Sequence, residues 1–401
     1  MRIHLSIIVI PAAVQLLASV ATAQPYAYVT LKHSDAVTVI DTATKTAINA
    51  IDVGQSPSGV AVTPDGREVL VVNANSHSNS VSIIDTTTDA TTAEVRVGTN
   101  PLGVAVTPDG AHAYVTNPGS NSVSVIDTAT NAVSATIAVG RSPADVAITP
   151  DGAFAYVANS QTFTAPAPGS VSVISIAQRK VVATIAAGNN PFGVAVTPDG
   201  HFVYVTNSNS LDVTGPGSVS IIDVGSNKVV ATVPVGGNPL GVALTPDGGF
   251  AYVTNFSSNS VSIIDTTSRS VAETVRVGNG PLGVALTADG GSAYVANRQP
   301  FSDIAPGTVS VIDTVTLAVV ATIPVGDNPT SIAIASTSPP PCVGDCNGDG
   351  EVSVDELITG VDIALGTLQT SACPVFDTNR DGAVTVAELI TAVTDAVDGC
   401  P

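Results

Sequence analysis

The chain has 401 residues and a formal net charge of −20, from 33 Asp and Glu against 13 Lys and Arg. A field of this sign repels nucleic acid and anionic membrane surfaces, which excludes both as partners. Only 11% of the residues are charged, so Ser, Thr and Asn must supply much of the wet surface.

Residues 1–23 are typical of a secretory signal peptide. Arg2 precedes an apolar run from Leu5 to Ala18, and Ala21-Thr22-Ala23 has the small-residue pattern of a cleavage site. No later segment approaches 18 uninterrupted apolar residues, so no transmembrane span is predicted. We therefore expect a bacterial protein that is secreted to the extracellular space or the cell surface.

Residues 24–335 consist of an internal repeat with a spacing of 42 to 48 residues. Each unit reads P-x-G-V-A-V-T-P-D-G, then Y-V-T-N, then S-V-S-V-I-D-T and V-x-A-T-I-x-V-G. The glycine of G-V-A and its counterparts in two weaker copies are Gly59, Gly103, Asp145, Gly193, Gly241, Gly283 and Ser331. Four β-rich segments per repeat predict a mainly β fold, a propeller in which each unit is one blade.

The phase of the repeat predicts seven blades of four strands. The chain begins with a Y-V-T-N-like segment, which is a second strand, and the repeat ends after a first strand, near Ile332 to Ala335. Pairing of that last strand with Tyr26 to Thr30 would close the ring. It would also cover two sheet edges that otherwise favour aggregation.

The repeated Asp and Asn residues have two interpretations, a ring of ligands or turn capping. Thr63 to Gly66 reads T-P-D-G, in which Pro presets φ, Asp bonds nearby backbone and Gly accepts a positive φ. The D-T-x-T segments after the third strands have the same chemistry. Turn capping is the interpretation that we favour.

Three connections between second and third strands are longer than the rest: residues 160–170, 208–218 and 298–308. They should lie on one face, beside the V-G-x-x-P connections between blades. Long loops on one face are where partners bind, so we predict a protein or cell-envelope glycan partner there. Harmless length drift is the alternative. The predicted contact residues are Phe163, Asp212, Phe301 and Asp303.

Residues 336–341 form a Pro-rich linker to an acidic module, residues 342–401. The module contains two twelve-residue loops of the EF-hand pattern, with glycine at position 6 in each. Oxygen ligands at this spacing predict two bound Ca²⁺ ions as the cofactor. The ligands predicted in the first loop are Asp345, Asn347, Asp349, Glu351, Ser353 and Glu356. Those predicted in the second loop are Asp377, Asn379, Asp381, Ala383, Thr385 and Glu388.

Apolar residues at helical spacing predict helices over Val354–Leu365 and Val386–Val397. All four cysteines of the chain lie in this module, which suggests disulfides in an oxidising compartment. Three connectivities are open for Cys342, Cys346, Cys373 and Cys400. The duplicated loops should bring the ends of the module together, which favours Cys400 pairing with Cys342 or Cys346.

Two families resemble parts of this chain. The Y-V-T-N segments that end at Asn117, Asn207 and Asn255 resemble those of YVTN-repeat propellers, a family that includes surface-layer proteins and implies no general catalytic site. The module of residues 342–401 resembles a dockerin, which implies a calcium-stabilised docking unit. Its loop positions 10 and 11 are Val354-Asp355 and Val386-Ala387, not the Ser-Thr pair of cohesin-binding dockerins.

The sequence contains no metalloprotease, nucleophile-elbow, P-loop or haem-attachment motif, and its histidines are scattered. We therefore predict no catalytic residue. The predicted function is a secreted, calcium-binding propeller that acts as a non-catalytic binding or cell-surface scaffold. Two alternatives stay open: a propeller enzyme of lactonase or quinoprotein-dehydrogenase type, and a self-assembling surface-layer protein.

Overall fold

The computed structural model describes residues 25–75, 79–161, 167–208, 215–298, 306–335, 344, 346, 352–376 and 383–398. The chain divides into two compact units, of which one, Pro25–Ser338, contains every strand found among these residues. The other contains the described residues near the C-terminus. The exact domain boundaries stay a prediction.

The first unit is a propeller of seven four-stranded antiparallel sheets, as the repeat predicted. Blade 1 contains β1 (Tyr26–Leu31), β2 (Ala36–Asp41), β3 (Thr46–Asp52) and β28 (Pro329–Ile334). Blade 2 contains β4 (Pro57–Val62), β5 (Glu68–Asn73), β6 (Ser80–Asp85) and β7 (Ala90–Arg96). Blade 3 contains β8 (Val104–Val106), β9 (His112–Asn117), β10 (Ser122–Asp127) and β11 (Ala132–Ala138). Blade 4 contains β12 (Pro143–Ile148), β13 (Phe154–Asn159), β14 (Pro168–Ser175) and β15 (Lys180–Asn189).

In blades 2 to 7 the first strand along the chain is the innermost and the fourth is the outermost; in blade 1 the innermost strand is β28. Blade 5 contains β16 (Pro191–Val196), β17 (Phe202–Asn207), β18 (Pro216–Asp223) and β19 (Lys228–Gly237). Blade 6 contains β20 (Pro239–Leu244), β21 (Phe250–Asn255), β22 (Ser260–Asp265) and β23 (Ser270–Arg276). Blade 7 contains β24 (Pro281–Leu286), β25 (Ser292–Asn297), β26 (Thr308–Asp313) and β27 (Ala318–Pro324).

The ring closes between the two ends of the repeat. Strand β28 pairs antiparallel with β1, with Ala27 opposite Ile334 and Val29 opposite Ile332. The innermost strands of neighbouring blades are in contact all round the ring, including β24 with β28. The first and last strands of the repeat therefore complete one blade, as predicted.

Each interface between blades is filled by Val, Ile and Ala with one bulky side chain. That side chain is the tyrosine of Y-V-T-N in six blades and Leu70 in blade 2. The six tyrosines are at most 1% exposed: Tyr28, Tyr114, Tyr156, Tyr204, Tyr252 and Tyr294. Aliphatic packing thus takes the place of tryptophan, which the chain lacks.

The threonine of Y-V-T-N joins neighbouring blades. In blade 6, Thr254 Oγ1 accepts a hydrogen bond from the Gly241 amide at 2.8 Å and donates one to the Leu282 carbonyl of blade 7 at 2.6 Å. Thr30, Thr116 and Thr206 make the equivalent pair of bonds in blades 1, 3 and 5. The hydroxyl therefore satisfies two buried backbone groups on different blades.

Thr254→Val is expected to lower the free energy of unfolding by about 2 kcal/mol, because it leaves a buried N–H and a buried C=O without this partner. Urea denaturation followed by circular dichroism measures the effect. The control is Thr267→Val, at an exposed position of the same blade. Equal midpoints for the two variants would show that the hydroxyl contributes nothing to stability.

The asparagine of Y-V-T-N holds the second strand to the third. Asn255 Nδ2 donates to Ser260 Oγ at 3.2 Å and to Ser262 Oγ at 2.9 Å, the two serines of S-V-S. A Cβ on Gly236, the glycine of the V-G segment, would lie 2.6 Å from the Asn255 side chain. The motif letters therefore describe packing within and between blades.

The aspartates of the repeat cap turns, as expected from the sequence. In the first T-P-D-G turn, Asp65 Oδ1 accepts from the Thr63 hydroxyl at 2.6 Å and from the Arg67 amide at 3.2 Å, while Gly66 has a φ of +69°. Asp85 Oδ1 accepts from the Thr87 and Thr88 amides. The hydrogen bond from the Thr87 hydroxyl, together with these amide bonds, holds the pKa of Asp85 below its usual value.

The second unit contains two helices, α1 (Val354–Ala364) and α2 (Val386–Asp398), within one residue of the predicted spans. A disulfide joins Cys346 to Cys373 with a Cα–Cα distance of 5.1 Å. Cys400 was expected to pair with Cys342 or Cys346. The structure excludes Cys346, because its sulfur is already bonded to that of Cys373, 27 positions away. Cys342 and Cys400 lie outside the described residues.

Candidate functional site

The innermost strands approach one another closely around the channel because the position of the G-V-A glycine is glycine in five of the seven blades. We call it the ring position; its residues are Gly59, Gly103, Asp145, Gly193, Gly241, Gly283 and Ser331. A Cβ on Gly193 would lie 2.2 Å from the Leu240 carbonyl oxygen of the next blade, and one on Gly241 would lie 2.4 Å from that of Leu282. Both distances are far below contact, so a side chain there would push blades apart. Asp145 and Ser331 are the two ring positions that carry a side chain.

A cavity of about 370 Å³ occupies one end of this channel. Its lining combines the ring residues with residues that directly follow second strands, so it lies where the innermost strands begin. The volume is within the range of small-molecule sites. The lining residues outside the ring are Lys32, Ser58, Ala74, Leu102, Ala144, Phe192, Leu240, Phe256, Leu282, Arg298 and Thr330.

Two partly buried cations, Lys32 and Arg298, lie on one side of the cavity. Burial lowers the pKa of the Lys32 ammonium, and the nearby Arg298 guanidinium lowers it further. Burial also lowers the pKa of Arg298. In the described part of the chain the one ion pair joins His201 to Asp199, so neither cation has a carboxylate partner there. Two adjacent, partly desolvated cations favour an anionic occupant.

One carboxylate, Asp145, lies on the cavity wall in blade 4. Its Oδ1 accepts a hydrogen bond from the Val146 amide at 2.9 Å, and its Oδ2 accepts one from the Val194 amide of blade 5 at 3.2 Å. Burial raises the pKa of Asp145 to about 6, against the opposing effect of these two bonds. The residue is partly exposed and is one of those that line the cavity.

The cavity is electrically polarised across its width. Lys32 belongs to blade 1 and Arg298 to blade 7, and these blades are neighbours at the ring closure. Blade 4, which carries Asp145, is three blades away from each of them and therefore lies on the opposite side. Between the two sides the wall is largely apolar, with Phe192 and Phe256 as its largest side chains.

The predicted partner-binding residues Phe163, Asp212, Phe301 and Asp303 lie outside the described residues. The described ends of their loops lie beside the connections between blades, as expected. Gly169, Gly217 and Gly307, which close the three loops, each pack so tightly on a proline of the next blade that a Cβ would lie 2.1 Å from that proline's Cδ. The loops thus leave from the end of the channel that holds the cavity, while their role in binding a partner stays a prediction.

The predicted metal ligands are mostly outside the described residues. Those outside are Asp345, Asn347, Asp349, Glu351, Asp377, Asn379 and Asp381. Among the described ones, Glu356 accepts hydrogen bonds from the Cys346 and Ser353 amides at 2.9 and 2.8 Å, and Glu388 accepts one from the Thr385 amide at 2.8 Å. The Ser353 contact is part of the cap of helix α1, the Cys346 contact ties Glu356 to the disulfide-bonded cysteine, and the Thr385 contact lies at the start of α2. Ala383 is exposed.

Sequence reasoning did not identify Lys32, Arg298 or Asp145 as site residues. The sequence nevertheless contains a distinguishing feature for each of the three residues. Asp145 replaces glycine in an otherwise regular repeat, and Lys32 and Arg298 directly follow Y-V-T-N-like segments at opposite ends of the propeller sequence. Only closure of the ring brings these two cations together.

Comparison with known proteins gives two family matches. Residues 23–147 match the family described as the Cytochrome D1 heme domain, and residues 375–393 match the EF hand family. The first match covers less than half of the chain. No protein of curated function matches the sequence.

Several solved structures share the propeller. Hydrazine synthase of Kuenenia stuttgartiensis is 28% identical, with a TM-score of 0.64 and coverage of 72% of this chain and 92% of that one. A functionally unknown protein from Desulfotomaculum acetoxidans is 18% identical, with a TM-score of 0.65 and coverage of 77% and 98%. Dihydro-heme d1 dehydrogenase NirN, solved in complex with DHE, is 19% identical, with a TM-score of 0.56 and coverage of 77% and 74%. The last two show a common fold alone.

These findings overturn two predictions. The non-catalytic, calcium-binding scaffold is wrong as the function, because residues 23–147 match a heme-domain family and a similar structure, hydrazine synthase, is an enzyme. Two calcium ions are wrong as the cofactor, because the match of residues 23–147 to that family points to a heme-type group instead. Among the described residues, no three His, Cys, Asp or Glu side chains converge to hold a metal. The resemblance to YVTN-repeat surface-layer proteins is not confirmed.

The cavity fits part of a heme-type group. Lys32 and Arg298 suit its carboxylates, and Phe192 and Phe256 suit an apolar ring. The described lining contains no His, Cys, Met or Tyr, the side chains that bind haem iron. His33 follows Lys32 but is exposed and lies within 3.0 Å of Asn328 Nδ2. The residues therefore fit the organic part of the group and not its iron.

Proposed function

We propose that this chain is a propeller protein with redox enzyme function that binds a heme-type, carboxylate-bearing ligand in the central cavity. Of the two alternatives left open by the sequence, this proposal develops the propeller enzyme. The sequence family matched by residues 23–147 and the similarity to hydrazine synthase support it. A bound heme-type group would supply one-electron chemistry, and the protein would supply its binding, orientation and electrostatic environment.

The observation that carries the proposal is the pair of cations Lys32 and Arg298. The protein as a whole has a charge of −20, yet these two basic side chains lie together at the edge of its central cavity. Their pKa values are lowered by burial, so holding both charges there without a counter-ion costs free energy. A ligand carboxylate would remove that cost through charge-assisted hydrogen bonds.

The segment that matches the heme-domain family contributes directly to this site. It includes Lys32, Gly59, Gly103 and Asp145, which come from four different blades. The matched sequence therefore includes one of the two cations, two ring glycines and the carboxylate of the cavity. This placement supports the cavity, rather than the outer surface, as the ligand site.

The absence of an iron-binding side chain from the described lining has a consequence for ligand choice. Affinity should come from the carboxylates and the ring, so the metal-free porphyrin should bind about as tightly as the iron form. A much tighter iron form would place an iron ligand outside the described lining.

The replacement of both cations, Lys32→Gln with Arg298→Gln, is expected to weaken binding of hemin by about 100-fold, since two charge-assisted hydrogen bonds are lost. Titration of the full chain with hemin, followed by the Soret absorbance, measures the affinity. Wild-type protein should bind one hemin per chain.

The matched control is Lys228→Gln with Arg276→Gln, two exposed cations on the outer strands β19 and β23. It makes the same change in net charge and should leave the affinity within about twofold. If the two double variants bind hemin equally, or if wild type binds none, the cavity is not the site of a heme-type ligand.

A further inference from the structure

Asp145 has features that the proposed function does not use. It occupies a ring position that is glycine in five other blades, and it faces the cavity from the side opposite Lys32 and Arg298. Both carboxylate oxygens accept a backbone N–H, at 2.9 and 3.2 Å. Each oxygen has a second lone pair, so the group can still exchange a proton with the cavity.

Asp145 also has a structural role, which must be separated from any role toward a ligand. Blade 4 carries Ala158 at the position where blades 1, 3, 5 and 6 have the threonine that bonds to the next blade. The bond from the Val194 amide to Asp145 Oδ2 links blade 4 to blade 5 in its place. A neutral acceptor at position 145 would make the same link, so the link does not require a carboxylate.

The electrostatic surroundings of Asp145 are simple. The strands packed against its strand, β12, are β8, β9, β13 and β16, and no charged side chain of theirs acts on Asp145. The Tyr156 hydroxyl of β13 bonds Asn227 instead. Among the described residues the charged groups that face it are Lys32 and Arg298, across the cavity, and neither contributes to its pKa. Asp145 is partly exposed and lines the cavity.

We infer that Asp145 is the proton-exchanging residue of the cavity, and that binding of an anionic occupant is coupled to uptake of one proton by its carboxylate. An occupant that fills the cavity removes the remaining water from Asp145, which disfavours the ionised form. Negative charge on the occupant acts in the same direction. In this equilibrium the protein with an ionised Asp145, the anionic occupant and one proton combine to give a complex in which Asp145 is neutral.

The inference deepens the proposed function, since it assumes that the ligand occupies this cavity. Because burial already raises the pKa of Asp145 to about 6 in the free protein, a further rise on binding falls in an accessible range. Linkage then predicts that wild-type affinity increases by about tenfold from pH 8 to pH 6. Asp145→Asn should show no such increase, because its side chain does not titrate.

The test uses metal-free protoporphyrin IX, which avoids titration of iron-bound water, and follows its fluorescence on binding to the full chain at pH 6, 7 and 8. Wild type is compared with Asp145→Asn and with Asp145→Ser, which introduces the residue that blade 1 has at this ring position. The carboxyl carbon of Asp145, observed by NMR and assigned from the variants, gives its pKa with and without porphyrin.

A tenfold increase in wild type only, with a rise in the Asp145 pKa on binding, supports the inference. Binding with the same pH dependence in all three proteins overturns the inference while the proposed function stands. No binding to any of them overturns both. If Asp145→Asn does not fold, Asp145→Ser supplies both the comparison and the NMR assignment. If neither folds, the wild-type affinity decides, because an affinity that is constant from pH 6 to pH 8 overturns the inference.

Discussion

Gly193→Ala is expected to lower the free energy of unfolding by about 3 kcal/mol, near the upper end of typical overpacking costs. The added Cβ would lie 2.2 Å from the Leu240 carbonyl oxygen and 3.3 Å from Thr206 Oγ1. The first contact is with backbone of the next blade, which cannot rotate away as a side chain can. Blades 5 and 6 would have to separate and lose part of their shared apolar contact.

Equilibrium unfolding in urea, followed by circular dichroism of the strands, measures this loss. Gly225→Ala is the control, because a Cβ there would meet nothing closer than Asp223 Oδ1 at 3.7 Å. Thr87 and Ala129 occupy the same turn position in other blades. A Gly193→Ala midpoint equal to that of the control would contradict the role of glycine in blade spacing.

Asp145→Asn is expected to change the pH dependence of stability by up to about 3 kcal/mol. Burial raises the folded-state pKa of Asp145 to about 6, roughly two units above its value of about 3.9 in an unfolded chain. A raised pKa means that the group's contribution to stability is present below pH 4 and is lost as the pH rises through 6. Wild type should therefore lose stability relative to Asp145→Asn over this window.

The measurement is the difference in unfolding free energy between the two proteins at pH 4, 5, 6 and 7. Other aspartates are common to both proteins, so their contributions to this difference cancel. One of them is Asp199, whose pKa is lowered to about 2 by the Thr197 hydroxyl and neighbouring groups. The difference should change by most of its range between pH 4 and 6. Parallel stability curves would mean that Asp145 titrates as an ordinary exposed carboxylate.

Gly193 and Asp145 occupy the same ring position in blades 5 and 4, and each contacts the next blade in a different way. Glycine at 193 permits close approach of a carbonyl from the next blade, whereas Asp145 fills that space with a carboxylate that bonds the next blade's amide. Both solutions hold neighbouring blades together. Only the second places an ionisable group in the cavity, which is why it matters for function.

Much of the fold was predictable because its determinants are local and repeated. T-P-D-G specifies a turn, the β-branched segments specify strands, and the offset between the first and last segments specifies closure of β28 on β1. The two C-terminal helices were likewise predictable from apolar residues at helical spacing. Each of these features depends on neighbours in the sequence or on a period that the sequence displays.

The site was not predictable in the same way. Lys32 and Arg298 come from the first and last blades and meet only because the ring closes, and Asp145 opposes them only because seven blades place blade 4 across the channel. The pairing of Cys346 with Cys373 also depends on how the module folds rather than on spacing. The oxygen-rich loops of that module are the strongest motif in the sequence and led to the prediction of calcium, whereas the residues that line the cavity form no sequence motif. The sequence by itself determined the seven blades, their turns and their closure, through short-range chemistry repeated along the chain; only the tertiary structure decided the cavity, because its charges converge through the circular arrangement of distant blades.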